Sequence, residues 1–408
     1  MPNSLLSTPA RRWATGATVA TVVVGAAVAG PLIAGADSDL PDRTAAELLV
    51  GLATIDVQPF AGTVVQSADL GLPALTGADA TSLPTAALSL LNGSSTARIW
   101  YTDGDTYRFA LQDDQSESDL LRNGQDLYFW SSEGSTASHV VVPEETPDDH
   151  GEGPFGGGGP FGGEGGPFGG EGLPEDMPSN LPTAAASLAL GMIEPSTQVD
   201  VDGTATVAGR SAYELVLRPK DEQSLIGSIR LAVDGENSMP LRVQIFARDH
   251  SEPSFEVGFT SVSFDEPDAS TYDFTPPPGT TVEEVQPGDL EDALPNHGTP
   301  DGTPDVGPDG HLDVAPSDVT TVGSGWTTVV VARDVNLDEL TAGLEGDAAA
   351  IADAFIADLQ DVSGAYGTGR ALTSDLFTVL LLDDGRLLAG AVPLEVLEQA
   401  AQDPAAAL

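Results

Sequence analysis

The stretch IRLAVDGENSMPLRVQIFAR (Ile229–Arg248) alternates Ile229, Leu231 and Val233 with Arg230, Ala232 and Asp234, turns at Asp234-Gly235, and resumes as Leu241–Ala247. A period of two gives one apolar face and one wet face, and Asp-Gly is turn chemistry, so these residues predict an antiparallel hairpin. The same pattern extends in both directions. Upstream, Gln198–Val207 and Ser211–Arg218 flank Ala208-Gly209-Arg210; downstream, Ser254–Phe264 closes the run before the rigid Pro276-Pro277-Pro278. Further upstream, Phe60–Ser67, Thr96–Thr102, Thr106–Gln112, Asp126–Ser131 and Ser138–Val142 read as strands, with turns at Asp103-Gly104 and Asn123-Gly124.

Helical signals are few. Arg43–Leu52 begins with an Asp/Arg-containing cap and places Leu48, Leu49 and Leu52 at helical spacing. Leu83–Leu91, with Pro84 at its start, reads as a short apolar helix, and Thr183–Met192 after Pro182 repeats that design. Many short strands with two or three helices exclude a doubly wound fold. They predict an α+β, mainly β chain in which a large curved antiparallel sheet covers helices.

Composition breaks set the domain plan. His150–Glu171 repeats Pro-Phe-Gly-Gly at 154, 160 and 167, a tract too poor in buriable surface to offset chain entropy. Residues 148–176 are therefore expected as an insertion within a domain spanning 40–285. Residues 286–316 hold six Pro, five Gly and six Asp in 31 residues, an extended acidic linker. Beyond it, 317–408 predicts a small C-terminal α/β domain. Its strands are expected at Trp326–Ala332, Leu376–Leu382 and Leu387–Val392, a helix over Leu337–Leu359, and a closing helix from Val392-Pro393.

The N-terminus reads as an export or anchoring segment. Arg11 and Arg12 precede 23 uncharged residues, Ala14–Ala36. At ~1.5 Å per residue these span roughly 34 Å, enough to cross a bilayer once. Ala34-Gly35-Ala36 offers a small-x-small cleavage site before Asp37. Residues 1–36 are expected either as a cleaved signal peptide or as a transmembrane anchor. Cations before the apolar run and acid after it place the remainder outside the cytoplasm, secreted or membrane-anchored.

Fifteen Lys+Arg against 63 Asp+Glu give a net charge of −48. That excludes nucleic acid as a partner, because phosphate binding needs clustered cations. Zero Cys excludes disulfides, thiolate catalysis and cysteine-rich metal sites. The five histidines include no i,i+4 pair, and no nucleophile elbow, P-loop or dinucleotide fingerprint is present. Asp301, Asp305, Asp309 and Asp313 do not match a calcium loop, and Asp200-Val201-Asp202-Gly203 reads as a hairpin tip. No cofactor, no metal site and no enzymatic activity are expected.

A family resemblance enters at VAGRSAYELVLRPK (Val207–Lys220), IRLAVDGENSMPLRVQIFAR (Ile229–Arg248), FEVGFTSVSFDEP (Phe255–Pro267) and YDFTPPPGTTV (Tyr272–Val282). In order and spacing these resemble the LolA/LolB superfamily of lipoprotein carriers, with its LppX/LprG-like lipid binders and RseB/MucB stress regulators. TARIWYTDGDTYRFAL (Thr96–Leu111) and NGQDLYFWSSEG (Asn123–Gly134) fit the same scheme. FTVLLLDDGRLLAGAVPLEVLEQAA (Phe377–Ala401) faintly resembles the end of the RseB small domain. The resemblance implies a half-barrel of about eleven antiparallel strands around lid helices, with an apolar face that holds acyl chains.

Candidate lining residues are Ile99, Phe109, Leu127, Phe129, Leu215, Leu231, Val243, Ile245, Val257 and Phe259, with Leu83–Leu91 and Thr183–Met192 as lids. Each buried methylene is worth about 0.8 kcal/mol, so a chain of roughly 16 carbons offers ~12 kcal/mol before ordering costs. The resemblance thus implies a non-enzymatic envelope protein binding lipid or lipoprotein acyl chains. The alternative it leaves open is a stress sensor whose partner is a membrane protein such as an anti-sigma factor. The competing reading of the ten side chains is an ordinary core packed on helices.

Overall fold

The computed structural model describes residues 40–55, 57–72, 92–112, 117–132, 136–142, 196–285, 319–333, 335, 356 and 359–402. Two sheets account for most of them.

The larger sheet has twelve strands in two meanders. The first runs β1 (Phe60–Asp69), β2 (Asn92–Asp103), β3 (Thr106–Gln112), β4 (Glu117–Asn123), β5 (Asp126–Ser131) and β6 (Thr136–Val141). The second runs β7 (Thr197–Val207), β8 (Arg210–Pro219), β9 (Ile226–Asp234), β10 (Pro240–Ala247) and β11 (Phe255–Ser263). They join where β1 pairs antiparallel with both β2 and β11, which puts β1 mid-sheet. β7 and β11 lie four positions apart in the sheet order and still come into contact. At ~4.8 Å per strand a flat sheet would hold them near 19 Å, so the second meander is strongly curled. The sheet is a half-barrel.

One helix covers a face of this sheet. In α1 (Ala45–Ala53) the Thr44 side chain accepts the Glu47 amide at 3.3 Å, and the Glu47 carboxylate accepts the Thr44 amide at 2.7 Å. This capping box, Thr-x-x-Glu, satisfies two orphan donors of the first turn. The cap is Thr44, not the Asp/Arg pair expected. Leu48 and Leu49 of α1 are buried against Tyr213, Leu215, Leu217, Leu231 and Val243, which defines the inner face.

After β11 the chain crosses the opposite, outer face of the first meander. A 3-10 turn at Ala269–Tyr272 docks there: Arg108 donates to the Thr271 carbonyl at 3.1 Å, Asn123 donates to the Tyr272 carbonyl at 3.3 Å, and the Tyr272 and Thr102 hydroxyls lie 3.0 Å apart. The crossing ends in β12 (Thr281–Val285), which pairs parallel with β6. That twelfth strand corrects the all-antiparallel expectation. A parallel neighbour requires a crossover connection, and residues 264–280 supply it.

The smaller sheet has the order β13 (Val319–Val322), β14 (Val329–Ala332), β18 (Leu387–Gly390), β17 (Thr378–Leu382), β16 (Gly367–Thr373) and β15 (Gln360–Gly364). The helix α2 (Leu394–Ala400) buries Leu397 and Ala400 with Val331, Leu380 and Leu388 on it. The residues expected to begin a strand at Trp326 instead form a 3-10 turn at Gly325–Thr327. The expected helix Leu337–Leu359 falls almost wholly outside the described residues.

The two sheets pack on each other. The Asp375 amide donates to the Leu70 carbonyl and the Leu225 amide to the Ala391 carbonyl, both at 2.8 Å. The Trp326 indole donates to Thr197 Oγ1 at 2.7 Å, and Leu376 is buried with Ala68, Leu70 and Ala247.

Candidate functional site

Strand pairing decides which side chains share a face, because residues directly opposite one another point the same way. Across the first meander, Ile99 opposes Phe109, Phe109 opposes Leu120, and Leu120 opposes Phe129. One pleat along, Tyr107, Arg122 and Leu127 oppose in turn. Across the second meander, Phe259 opposes Val64 and Val257 opposes Gln66 of β1. Val257 then opposes Val243, Phe255 opposes Ile245, Val243 opposes Leu231, and Leu231 opposes Leu215. All of the candidate lining residues therefore register on one face, the inner one that α1 packs against.

The two halves of that face differ in how far they are closed. On the second meander Leu215, Leu231 and Val243 are buried under Leu48 and Leu49, with Ile245 and Val257 packed at the edge of the same cluster. At the centre, Ile99 is buried with Phe60 and Met239, and Phe109 and Phe259 pack against them. On the outer strands of the first meander Leu127 and Phe129 are only half-buried, as are Leu111 and Leu120. The structure thus joins a sealed apolar cluster to a more open apolar strip on β3–β5.

Polar groups bound this strip. Arg122 is ion-paired to Asp105 at 2.7 Å at the β2–β3 turn. Burial pushes the neighbouring Tyr107 hydroxyl up, partly offset by the Arg122 charge. Ser118 and Ser131 oppose each other at the other end.

The outer face carries ion pairs beside buried Leu121, Val216 and Ala232. Arg218 pairs with Asp200 at 3.1 Å, Arg230 with Glu214 at 2.7 Å, and Arg108 forks onto Asp119. Asp200-Val201-Asp202-Gly203, expected as a hairpin tip, lies inside β7 at a register shift between Val201 and Thr204, with Gly203 at φ 84°. Glycine takes this positive φ without strain, and a bulge on an edge strand blunts pairing with foreign chains. The hairpin tip is Ala208-Gly209 instead. A groove of about 340 Å3 opens on this outer side between Thr63, Arg98, Trp100, Ser261 and Ser263. Ala61, Val262 and the Trp100 ring line it together with these polar groups, and it lies on the face opposite the candidate lining residues.

Sequence reasoning missed Tyr107, Leu111 and Leu120 on the inner face. Their cross-strand opposition to Arg122, Ser118 and Phe129 was the signal, and it needs β4 to be seen. The lid candidates Leu83–Leu91 and Thr183–Met192, the 148–176 insertion and the 1–36 segment lie outside the described residues. Among the described residues no helix is long and apolar enough to cross a membrane, and no His/Cys/Asp/Glu cluster could hold a metal ion.

No family model and no curated protein matches the chain. Among solved structures it is similar to the MucA/MucB complex of Pseudomonas aeruginosa, with 17% identity, a TM-score of 0.39, and 88% of this chain and 96% of that one covered. It is also similar to a LolA superfamily protein from Nitrosomonas europaea, with 9% identity, a TM-score of 0.22, and 57% and 99% covered. A putative outer membrane lipoprotein-sorting protein domain from Vibrio parahaemolyticus follows, with 10% identity, a TM-score of 0.18, and 54% and 91% covered. These neighbours are MucB and LolA-superfamily proteins. With TM-scores of 0.39 and below, the likeness carries no functional argument, which rests on the faces described above.

Proposed function

We propose that the chain is a non-enzymatic, extracytoplasmic binding protein for lipid or lipoprotein acyl chains, held on the inner face of the half-barrel. The observation that carries this reading is the register: the candidate apolar side chains from β2 to β5 and from β8 to β11 all point to one side, while the arginine–carboxylate pairs lie on the other, interspersed with buried Leu121, Val216 and Ala232. An ordinary core accounts for the α1-covered half. It leaves the half-buried strip of Leu111, Leu120, Leu127 and Phe129 without a purpose. An acyl chain lying on that strip would remove its methylenes from water at about 0.8 kcal/mol each, with no catalytic group required. Native mass spectrometry of protein purified from its own envelope should show a co-purifying lipid mass released by organic extraction. Bare protein in every preparation counts against the reading.

A second reading is a regulator that binds a membrane protein such as an anti-sigma factor. It is favoured by the second sheet, which is fastened to the first through Leu70, Thr197 and Leu225 and which holding an acyl chain does not require. Cross-linking in the native envelope separates the two. Protein adducts on residues 319–402 are expected of a regulator, and lipid adducts alone contradict that role.

A further inference from the structure

His139 stands on β6 between two carboxylates. Its Nδ1 lies 2.9 Å from both Glu284 oxygens, and its Nε2 lies 2.8 Å from Asp126 Oδ1. A carboxylate can only accept, so both ring nitrogens must donate, and a neutral imidazole has one N–H. The geometry is that of an imidazolium. The His139 side chain is 11% exposed and its ring stacks on Tyr128 at 4.3 Å, and Tyr128 stacks in turn on Phe274 at 4.6 Å. Glu284 belongs to β12 and Phe274 to the crossover that delivers it. One histidine therefore touches, directly or through Tyr128, both parts of the segment returning to the sheet edge.

We infer that His139 is a protonation-controlled clasp: its cationic form fastens β12 to β6, and its deprotonation releases β12. β12 has little else to hold it. It is a five-residue edge strand, it pairs on one side only, and four of its residues are exposed. The groups facing the ring are Asp126 from β5, Glu284 from β12 and Tyr128 from β5. Burial works against the charged ring, but the hydrogen bonds and charges of Glu284 and Asp126 outweigh it and hold the His139 pKa above its ordinary value of 6.5. Tyr128 does not confuse the titration, since burial and then the charges of Asp126 and Glu284 push its hydroxyl further up.

A raised folded-state pKa adds stability that is fully present below the unfolded value and is lost as pH rises through the folded one. The clasp is closed at mildly acidic pH and opens on the alkaline side. When it opens, the backbone groups of Thr136–Val141 that faced β12 lose their partners.

The test uses the full chain. The His139 ring is followed by NMR between pH 5 and 10, and exchange of the Thr281–Val285 amides is measured at pH 6 and pH 9 after correction for the intrinsic rate. The expected midpoint lies above 6.5, and β12 protection at pH 9 falls by about tenfold for each unit of elevation. In His139→Gln, which cannot carry charge, protection at pH 6 is expected to match that of the parent at pH 9. A midpoint at or below 6.5 overturns the inference, as does protection that is flat with pH or an unchanged pH response in the variant. Should the variant not fold, the parent's midpoint and protection decide alone.

Discussion

Replacing Phe60 with alanine is expected to cost roughly 3–5 kcal/mol, the range for emptying a large buried aromatic site. Phe60 is fully buried at the start of β1, the strand that joins the two meanders. Its ring lies 5.7 Å from that of Tyr101 on β2 and packs edge-on to Phe259 of β11 at 5.9 Å. Ile99 and Met239 close the cluster. Truncation leaves a void shared by both meanders, and the paired strands on either side of β1 limit how far it can collapse. Urea unfolding measures this. The midpoint should fall with the slope unchanged, as expected when stability but not denatured-state exposure is altered. A loss below about 1 kcal/mol would mean that the meanders do not share this core.

The second large effect is expected at Asp234→Ala, with a loss of about 3 kcal/mol. Asp234 is completely buried where β9 turns into β10. It accepts a forked pair of hydrogen bonds from Arg210 at the β7–β8 turn, and its Oδ1 also accepts from the amides of Glu236 at 2.9 Å and Asn237 at 3.1 Å. One carboxylate thus ties two hairpin tips and caps its own turn. Removing one member of a buried pair costs roughly 3–5 kcal/mol. The lower end applies because Arg210 keeps Glu236 at 2.6 Å and is partly solvated.

Burial opposes the charged form of Asp234, yet Arg210 and the two amides outweigh it and hold the pKa below the ordinary carboxylate value. The stabilisation is therefore present above that ordinary value and is lost as pH falls through the depressed one. The difference between parent and variant should be full at neutral pH and should shrink in strong acid. A difference that grows on acidification would contradict this assignment.

What could be read from the chain follows from which faces are wet. Ile229–Asp234 alternates because Ile229, Leu231 and Val233 meet the α1 cluster, while Arg230 and Asp234 on the opposite face are held by Glu214 and Arg210. Thr106–Gln112 and Asp126–Ser131 match their expected limits, since Asp-Gly and Asn-Gly turns bound them. β4, Glu117–Asn123, was not anticipated. Its only apolar residues, Leu120 and Leu121, are adjacent in sequence, which hides a period of two. Both can be apolar because Leu120 faces inward while Leu121 is buried on the outer face that the Ala269–Tyr272 turn crosses. A rule that assumes one wet face fails where a later segment covers it.

β12 was missed for a related reason. Thr-Val-Glu-Glu-Val after a proline run shows no alternation, and its partner strand, with His139 against Glu284, lies some 145 residues earlier. Within the candidate site, the shared face of the lining residues was legible because alternation fixes it. The division into a sealed half and a more open half was not, because it depends on where α1 docks.

The central claim is that the inner face takes up acyl chains. Titration of the full chain with a fluorescent long-chain fatty acid, beside Phe129→Asp and Arg98→Asp, tests it most directly. Phe129 lies on the inner face, whereas Arg98 is exposed on the outer one, so the two variants add acidic charge to opposite sides. The account predicts saturable uptake by the parent, affinity weakened by about tenfold or more in Phe129→Asp, the equivalent of roughly two buried methylenes, and little change in Arg98→Asp. No saturable uptake by the folded parent, or equal loss in both variants, would contradict it.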